Sequence, residues 1–174
     1  MTDPKRTPHP EKIIARLPPG WGVIFRHFGA KDRYKAGARL ARACRRRRLV
    51  LLVSADPDLA RAIGADGIHW PEERMSGVRP RSSRWIETAS AHSRAAIVRA
   101  ARRHVDAVIL SAVFESTSKS AAKPMGGLGF RNLARAAPLP VYALGGITAD
   151  NAGRIGSDAA GWAAIDAVVS GWGG

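Results

Sequence analysis

Short, wholly apolar runs separated by helical stretches constrain this chain more than any other feature. Leu49–Val53, Gly67–Trp70, Ala107–Ser111 and Val141–Leu144 show no in–out alternation. A strand that is apolar throughout is covered on both faces, as in a parallel sheet flanked by helices. Trp21–Arg26, Trp85–Ala89 and Trp162–Ile165 read as three further strands. Between them, Lys31–Arg46 reads as a helix with Ala36, Leu40, Ala43 and Cys44 on one face. Pro57–Ile63 reads as a short helix, with Asp56 as N-cap and Pro57 at the first helical position. Ser93–His104 places Ala96, Ile97 and Ala100 inward, and Gly129–Ala136 and Ala149–Ile155 complete the helices. Met75–Arg84 is a basic Gly/Pro/Ser loop. No linker or repeat divides the chain, so residues 1–174 are expected to form a single domain, long enough to bury a core. Seven strands with intervening helices fit a (β/α)8 TIM-type barrel short of one strand; the pattern alone also admits a doubly wound sheet.

Charge narrows the partners. The chain carries 28 basic and 14 acidic residues, a formal net charge of +14. Arg45-Arg46-Arg47-Arg48 closes the helix that also holds Arg39 and Arg42. Cations near a helix C-terminus are favourable and ordinarily solvated. A nucleic-acid footprint would want interleaved aromatics, zinc spacing or a recognition helix, and none is present; nucleic acid is therefore not the expected partner. The single cysteine, Cys44, excludes an internal disulfide, suits a reducing cytoplasm and reads as a structural thiol. No apolar run reaches membrane-spanning length, and Met1–Pro10 is polar and proline-rich, unlike a secretory signal. A membrane is not an expected partner, and a homo-oligomer is compatible with everything above.

The run Val141-Tyr142-Ala143-Leu144-Gly145-Gly146-Ile147-Thr148-Ala149-Asp150-Asn151 is a strand, two glycines and a Thr placed to cap a helix. Such a turn brings backbone N–H groups close to an anion, as a phosphate cradle does. Upstream stand Gly64-Ala65-Asp66-Gly67-Ile68-His69, then Ser90-Ala91-His92-Ser93, then Asp106-Ala107-Val108-Ile109-Leu110-Ser111-Ala112-Val113-Phe114-Glu115-Ser116-Thr117-Ser118-Lys119. In this order and spacing the motifs resemble the thiamine phosphate synthase/TenI family across roughly residues 8 to 170. The resemblance implies the barrel. Family members usually open with an extra strand ending in a Thr-Asp pair, whereas this sequence opens Met1-Thr2-Asp3-Pro4. The expectation is a barrel lacking most of its first strand, either because that strand lies upstream of Met1 or because the barrel is open on one side. An open seam would be an aggregation liability unless covered.

In the synthases the resemblance implies attack by a thiazole phosphate on an aminopyrimidine pyrophosphate, with Mg²⁺ and basic groups on the leaving group and carboxylates on the metal. Against that pattern Arg26 is retained, but Ile24 and Phe28 replace the family's Gln and pyrophosphate-gripping Lys. Ser54-Ala55 stands where the family has Asn-Asp, and Asp56, one place later, reads as a helix cap. Pro71-Glu72-Glu73-Arg74 replaces Gly-Gln-x-Asp, so a cation takes the second metal position. No cofactor is expected, with Mg²⁺ entering only if Asp56, Glu72 or Glu73 rebuilds a site. The phosphate side is better kept. Ser116 and Ser118 stand for two threonines, Lys119 for the family lysine, and Gly145 and Gly146 match directly. Asp166, after Ile165, replaces a Ser and would repel phosphate. The tautomerase-type His position is Ala112. His69 reads as strand packing and His92 as ordering the loop after Ser90.

The expected ligand-binding set is Arg26, Ser54, Ser90, Ser116, Ser118, Lys119, Gly145 and Gly146, with no catalytic residue assigned. The expected function is a thiamine phosphate synthase-like protein of thiamine biosynthesis or salvage. It would bind a small phosphorylated thiazole or thiamine-type ligand, with the usual Mg²⁺-dependent site degraded. The alternative is a non-catalytic phosphate-ligand-binding or sensing relative.

Overall fold

The computed structural model describes residues 1–75, 85–116, 123–165 and 168. It divides into two compact units, Met1–His69 with Val78–Ile86, and Trp70–Gly77 with Glu87–Gly174.

In the first unit a short helix α1 (Pro10–Ile13) and a 3-10 turn (Ile14–Arg16) precede β1 (Gly22–Phe25). Then come α2 (Arg33–Arg47), β2 (Val50–Ser54), α3 (Pro57–Ile63) and β3 (Gly67–Trp70, whose last residue belongs to the second unit). The strands are parallel and follow chain order, with Phe25 beside Val53 and Ser54 beside His69. Phe25, Leu40, Val53, Leu59, Ala60 and Ile68 are fully buried between sheet and helices. Helix α2 seats closely because Gly37 faces the sheet: a Cβ there would lie 3.3 Å from the Phe25 ring. Asp56 caps α3 by accepting the Leu59 N–H at 2.9 Å, and Gly64 ends the helix at φ +61°. Thr2 pairs its main-chain N–H with Ile24 O at 2.8 Å, and its Oγ1 accepts the Arg26 N–H at 3.0 Å.

Much of the arginine run is structural. Arg45 donates to Ile63 O at 3.0 Å, the carbonyl that closes α3, and Arg47 donates to Leu17 O at 3.1 Å. Arg39 lies 3.4 Å from Asp32 and 4.0 Å from Glu11. Two of the four consecutive arginines thus tie α2 to its neighbours.

The second unit begins with a 3-10 turn (Glu72–Arg74), then β4 (Ile86–Ala91, whose first residue belongs to the first unit), α4 (Arg94–Arg102) and β5 (Ala107–Leu110). There follow α5 (Gly126–Arg135), β6 (Val141–Leu144), α6 (Ala149–Ala152), a 3-10 turn (Gly153–Ile155) and β7 (Gly161–Ala163). Its strands are again parallel and in chain order, with Ser90 beside Ile109, Leu110 beside Ala143 and Leu144 beside Ala163. Ala89, Ala91, Val108, Leu110, Val113, Phe130 and Ala143 fill the core. The architecture is the strand–helix series of a TIM-type α/β barrel, with seven strands among the described residues. Among those residues no helix is long and apolar enough to cross a membrane.

Two expectations need adjusting. Helix α5 starts at Gly126, three residues earlier than the sequence pattern suggests, and the segment after the Gly-Gly pair is only one α-helical turn followed by a 3-10 turn. So short a helix carries little macrodipole toward an anion.

Candidate functional site

Parallel strands deliver their functional side chains at their C-terminal ends. In the first unit these are Arg26 just after β1, Ser54 closing β2, and His69 within β3, in register with Ser54. Ser54 is fully buried and its Oγ has no hydrogen-bond partner among the described residues. Such a hydroxyl costs roughly 1–3 kcal/mol when left unsatisfied. His69 is buried, and loss of solvent together with the Arg26 charge pushes its pKa down to about 3. His27, also buried, stacks on Phe25 with ring centroids 4.7 Å apart, and its Nδ1 lies 3.1 Å from Thr2 Oγ1. Burial lowers its pKa as well.

Asp56 is fully engaged. One oxygen caps α3 and the other pairs with Arg33 at 2.5 Å, while the same guanidinium donates to Ser54 O at 3.0 Å. Phe28, in place of the family lysine, lies under that guanidinium, 5.2 Å from its ring centroid. Ala55, where the sequence resemblance leads one to expect an Asp, has φ +53°, a left-handed conformation that Asp and Asn adopt more readily than Ala.

In the second unit Glu72 binds His92 and Arg99. One carboxylate oxygen is 2.7 Å from His92 Nδ1 and accepts the His92 main-chain N–H at 3.1 Å; the other accepts from Arg99 at 2.6 Å. Ser90 sits two residues before His92 on β4, half-buried. Glu73 and Arg74 are exposed. Ala112 and Val113 are buried after β5, and the Val113 and Phe114 N–H groups donate to Leu144 and Gly145 carbonyls at 3.0 and 2.9 Å.

This pairing gives the glycines an internal cause. Gly145 and Gly146 have φ +100° and +62°, and a Cβ on Gly146 would fall 1.9 Å from Glu115 O. Asn151 fixes the loop, donating to Gly146 O at 2.8 Å and accepting the Thr148 N–H at 2.9 Å. Ser116 lies just beyond Glu115. Ser118, Lys119 and Asp166 lie outside the described residues.

The arrangement therefore groups Arg26 and Ser54 in one unit, and Ser90, Ser116, Gly145 and Gly146 in the other. The sequence reading missed the Arg33–Asp56 pair, the Glu72–His92–Arg99 cluster and the Asn151 brace. Asn151, three residues after Thr148, carried a legible signal, because that spacing suits a capping exchange. These donors fit a divalent cation poorly. Asp56 and Glu72 each have both oxygens engaged, position 55 is an alanine, and Arg74 brings positive charge. Among the described residues no group of three His, Cys, Asp or Glu side chains is placed to hold a metal ion.

Comparison with known proteins agrees with the motifs. Residues 7–168 match the family described as thiamine monophosphate synthase. The chain is 34% identical over 144 residues to the thiamine-phosphate synthase of Methylococcus capsulatus, a match covering 80% of this chain and 64% of that one. It is 34% identical over 113 residues to that of Lysinibacillus sphaericus, covering 63% of this chain and 53% of the relative. The chain thus spans only about half to two thirds of these two relatives. Among solved structures, the thiamine phosphate pyrophosphorylase of Pyrococcus furiosus superposes with a TM-score of 0.75 at 25% identity, covering 93% of this chain and 82% of that one. The Bacteroides thetaiotaomicron enzyme of the same name, at 16% identity, TM-score 0.60 and coverage of 98% and 88%, shares the fold. With a family match over nearly its whole length and four ordered motifs in place, this chain belongs to the thiamine monophosphate synthase family.

Proposed function

We propose that this protein binds a phosphorylated thiazole or thiamine-type ligand in thiamine biosynthesis or salvage, in the cytoplasm, without the usual Mg²⁺-dependent transferase step. The observation that carries the reading is Ser54: a buried hydroxyl with no partner among the described residues, at the C-terminal end of a strand, in a chain of this family. An orphaned donor at that end of a parallel sheet is what a ligand atom would satisfy. In this reading Arg26 and Ser54 offer the first unit's anion donors. In the second unit Ser116, Gly145 and Gly146, with Ser90, take a phosphate, and Ser118 and Lys119, outside the described residues, belong to the expected set by sequence alone. Such hydroxyl, ammonium and amide groups suit phosphate oxygens.

A second reading, a non-catalytic sensing relative, is favoured by the engagement of Asp56 with Arg33. Thermal-shift titration with thiazole phosphate, thiamine phosphate and pyrophosphate, each with and without Mg²⁺, tests both. Ligand at a hundred times its dissociation constant adds about 2.7 kcal/mol of stability. The expected result is a shift with thiamine phosphate that Mg²⁺ does not enlarge. A shift that grows with Mg²⁺, followed by turnover, would restore the ordinary transferase. No shift with any of the three would remove the ligand assignment.

A further inference from the structure

Glu72 and His92 are 20 residues apart in sequence, and their pairing is tertiary. A carboxylate only accepts, so the hydrogen between Glu72 and Nδ1 belongs to the imidazole. Nε2 has no hydrogen-bond partner among the described residues, and the His92 side chain is 46% exposed, against 23% for Glu72. Glu72 and Arg99 cancel in charge across their 2.6 Å contact, so the cluster carries only the charge of the imidazole, neutral or positive. An approaching anion therefore meets a ring already braced on its far side, with the Glu72 carboxylate compensated by Arg99. His92 directly follows Ala91, the last residue of β4, at the strand end where parallel folds gather their ligands.

We propose that His92 is a phosphate-contacting residue of this protein. When the ring carries both protons, its Nε2–H donates to an oxygen of a phosphate ester or pyrophosphate, and Glu72 is the positioning residue that fixes the ring through Nδ1. Arg99 keeps Glu72 from repelling the anion. The inference rests on the reading that the chain binds a phosphorylated ligand.

The test uses the full chain with inorganic pyrophosphate and with thiamine phosphate as probes. Diethyl pyrocarbonate modification is read residue by residue by peptide mass spectrometry. Either probe, at a concentration that shifts Tm, should slow modification of His92 about fivefold or more. The exposed His9 and His104 serve as unprotected references. His92→Ala should weaken probe binding about tenfold, the scale of losing a charge-assisted hydrogen bond. Glu72→Ala should weaken it less while releasing His92 from the Nδ1–H tautomer in long-range ¹H–¹⁵N spectra. Both positions are partly exposed, so the variants should keep the wild-type Tm within a few degrees. A surface ion pair without a ligand role would show the tautomer but neither protection nor the loss of affinity. If a probe shifts Tm and His92 is neither protected nor needed for affinity, this proposal falls and the ligand reading stands. If neither probe shifts Tm, both fall.

Discussion

Gly146 has its backbone where the carbonyl of Glu115 leaves no space: a Cβ at residue 146 would stand 1.9 Å from that oxygen. The Gly-Gly pair that reads in sequence as an anion cradle is therefore demanded first by the packing of the loop after β6 on the loop after β5. Gly146→Ala adds the clash to the cost of φ +62° for a residue with a side chain. It should lose more than about 2 kcal/mol, a fall in Tm of about 4–8 °C for a chain of this size. Gly153→Ala is the control, since that helical glycine has nothing within 4 Å of its missing Cβ and should gain about 0.5–1 kcal/mol. Equal Tm values for the two variants would show the loop to be free to yield.

Asp56 joins a helix cap to a half-buried guanidinium. Asp56→Ala should cost about 1 kcal/mol for the cap, with a further loss for the unpaired Arg33. Asp56→Asn should cost less, because Asn caps as well as Asp. Urea unfolding of the three proteins checks the order. Mg²⁺ alone should leave wild-type Tm unchanged, and a rise at millimolar Mg²⁺ would mean that the carboxylate exchanges Arg33 for the ion.

Acid should weaken the protein through His69. Its folded pKa of about 3 lies below the ordinary value of 6.5. Between these values the unfolded chain binds a proton that the folded chain refuses. Stability from this group is thus whole above about pH 6.5 and falls as the pH drops toward 3, at up to about 1.4 kcal/mol per pH unit. His69→Gln removes the titration. The difference in unfolding free energy between wild type and variant should shrink by about 1 kcal/mol per unit below pH 6, whereas parallel curves would mean that His69 titrates normally.

Cys44 should be silent in the folded protein. It is 1% exposed, and burial, reinforced by Asp66, pushes its thiol pKa up to about 11. A disulfide reagent such as DTNB should react only as the chain opens, at a rate that rises with urea. Rapid labelling of the native protein would contradict the packing of α2.

Three elements were legible in the sequence to the residue: α3, β3 and β6. A proline-led helix with a matched cap, and apolar runs bounded by glycine or proline, leave little freedom in their ends. Helix α1 was not legible, because four residues led by Pro10 carry no periodicity. The arginine run was legible as charge but not as structure, since the carbonyls of Leu17 and Ile63 that it reaches lie 30 and 18 residues away. The same limit hid Glu72 from His92 and Arg33 from Asp56. Motif order identified the family, whereas these pairings are made only by the folded chain.

Those pairings also decide what a carboxylate introduced at residue 55 would meet. Ala55 holds a backbone conformation that an aspartate adopts more readily than alanine, so the backbone does not oppose that exchange. Yet Arg33 already reaches the main chain at Ser54 and the side chain at Asp56, on either side of that position. A carboxylate placed at residue 55 would meet a resident cation before it met a metal. Ala55→Asp alone should therefore pair with Arg33, and only with Arg33 also removed would the new carboxylate be open to a cation.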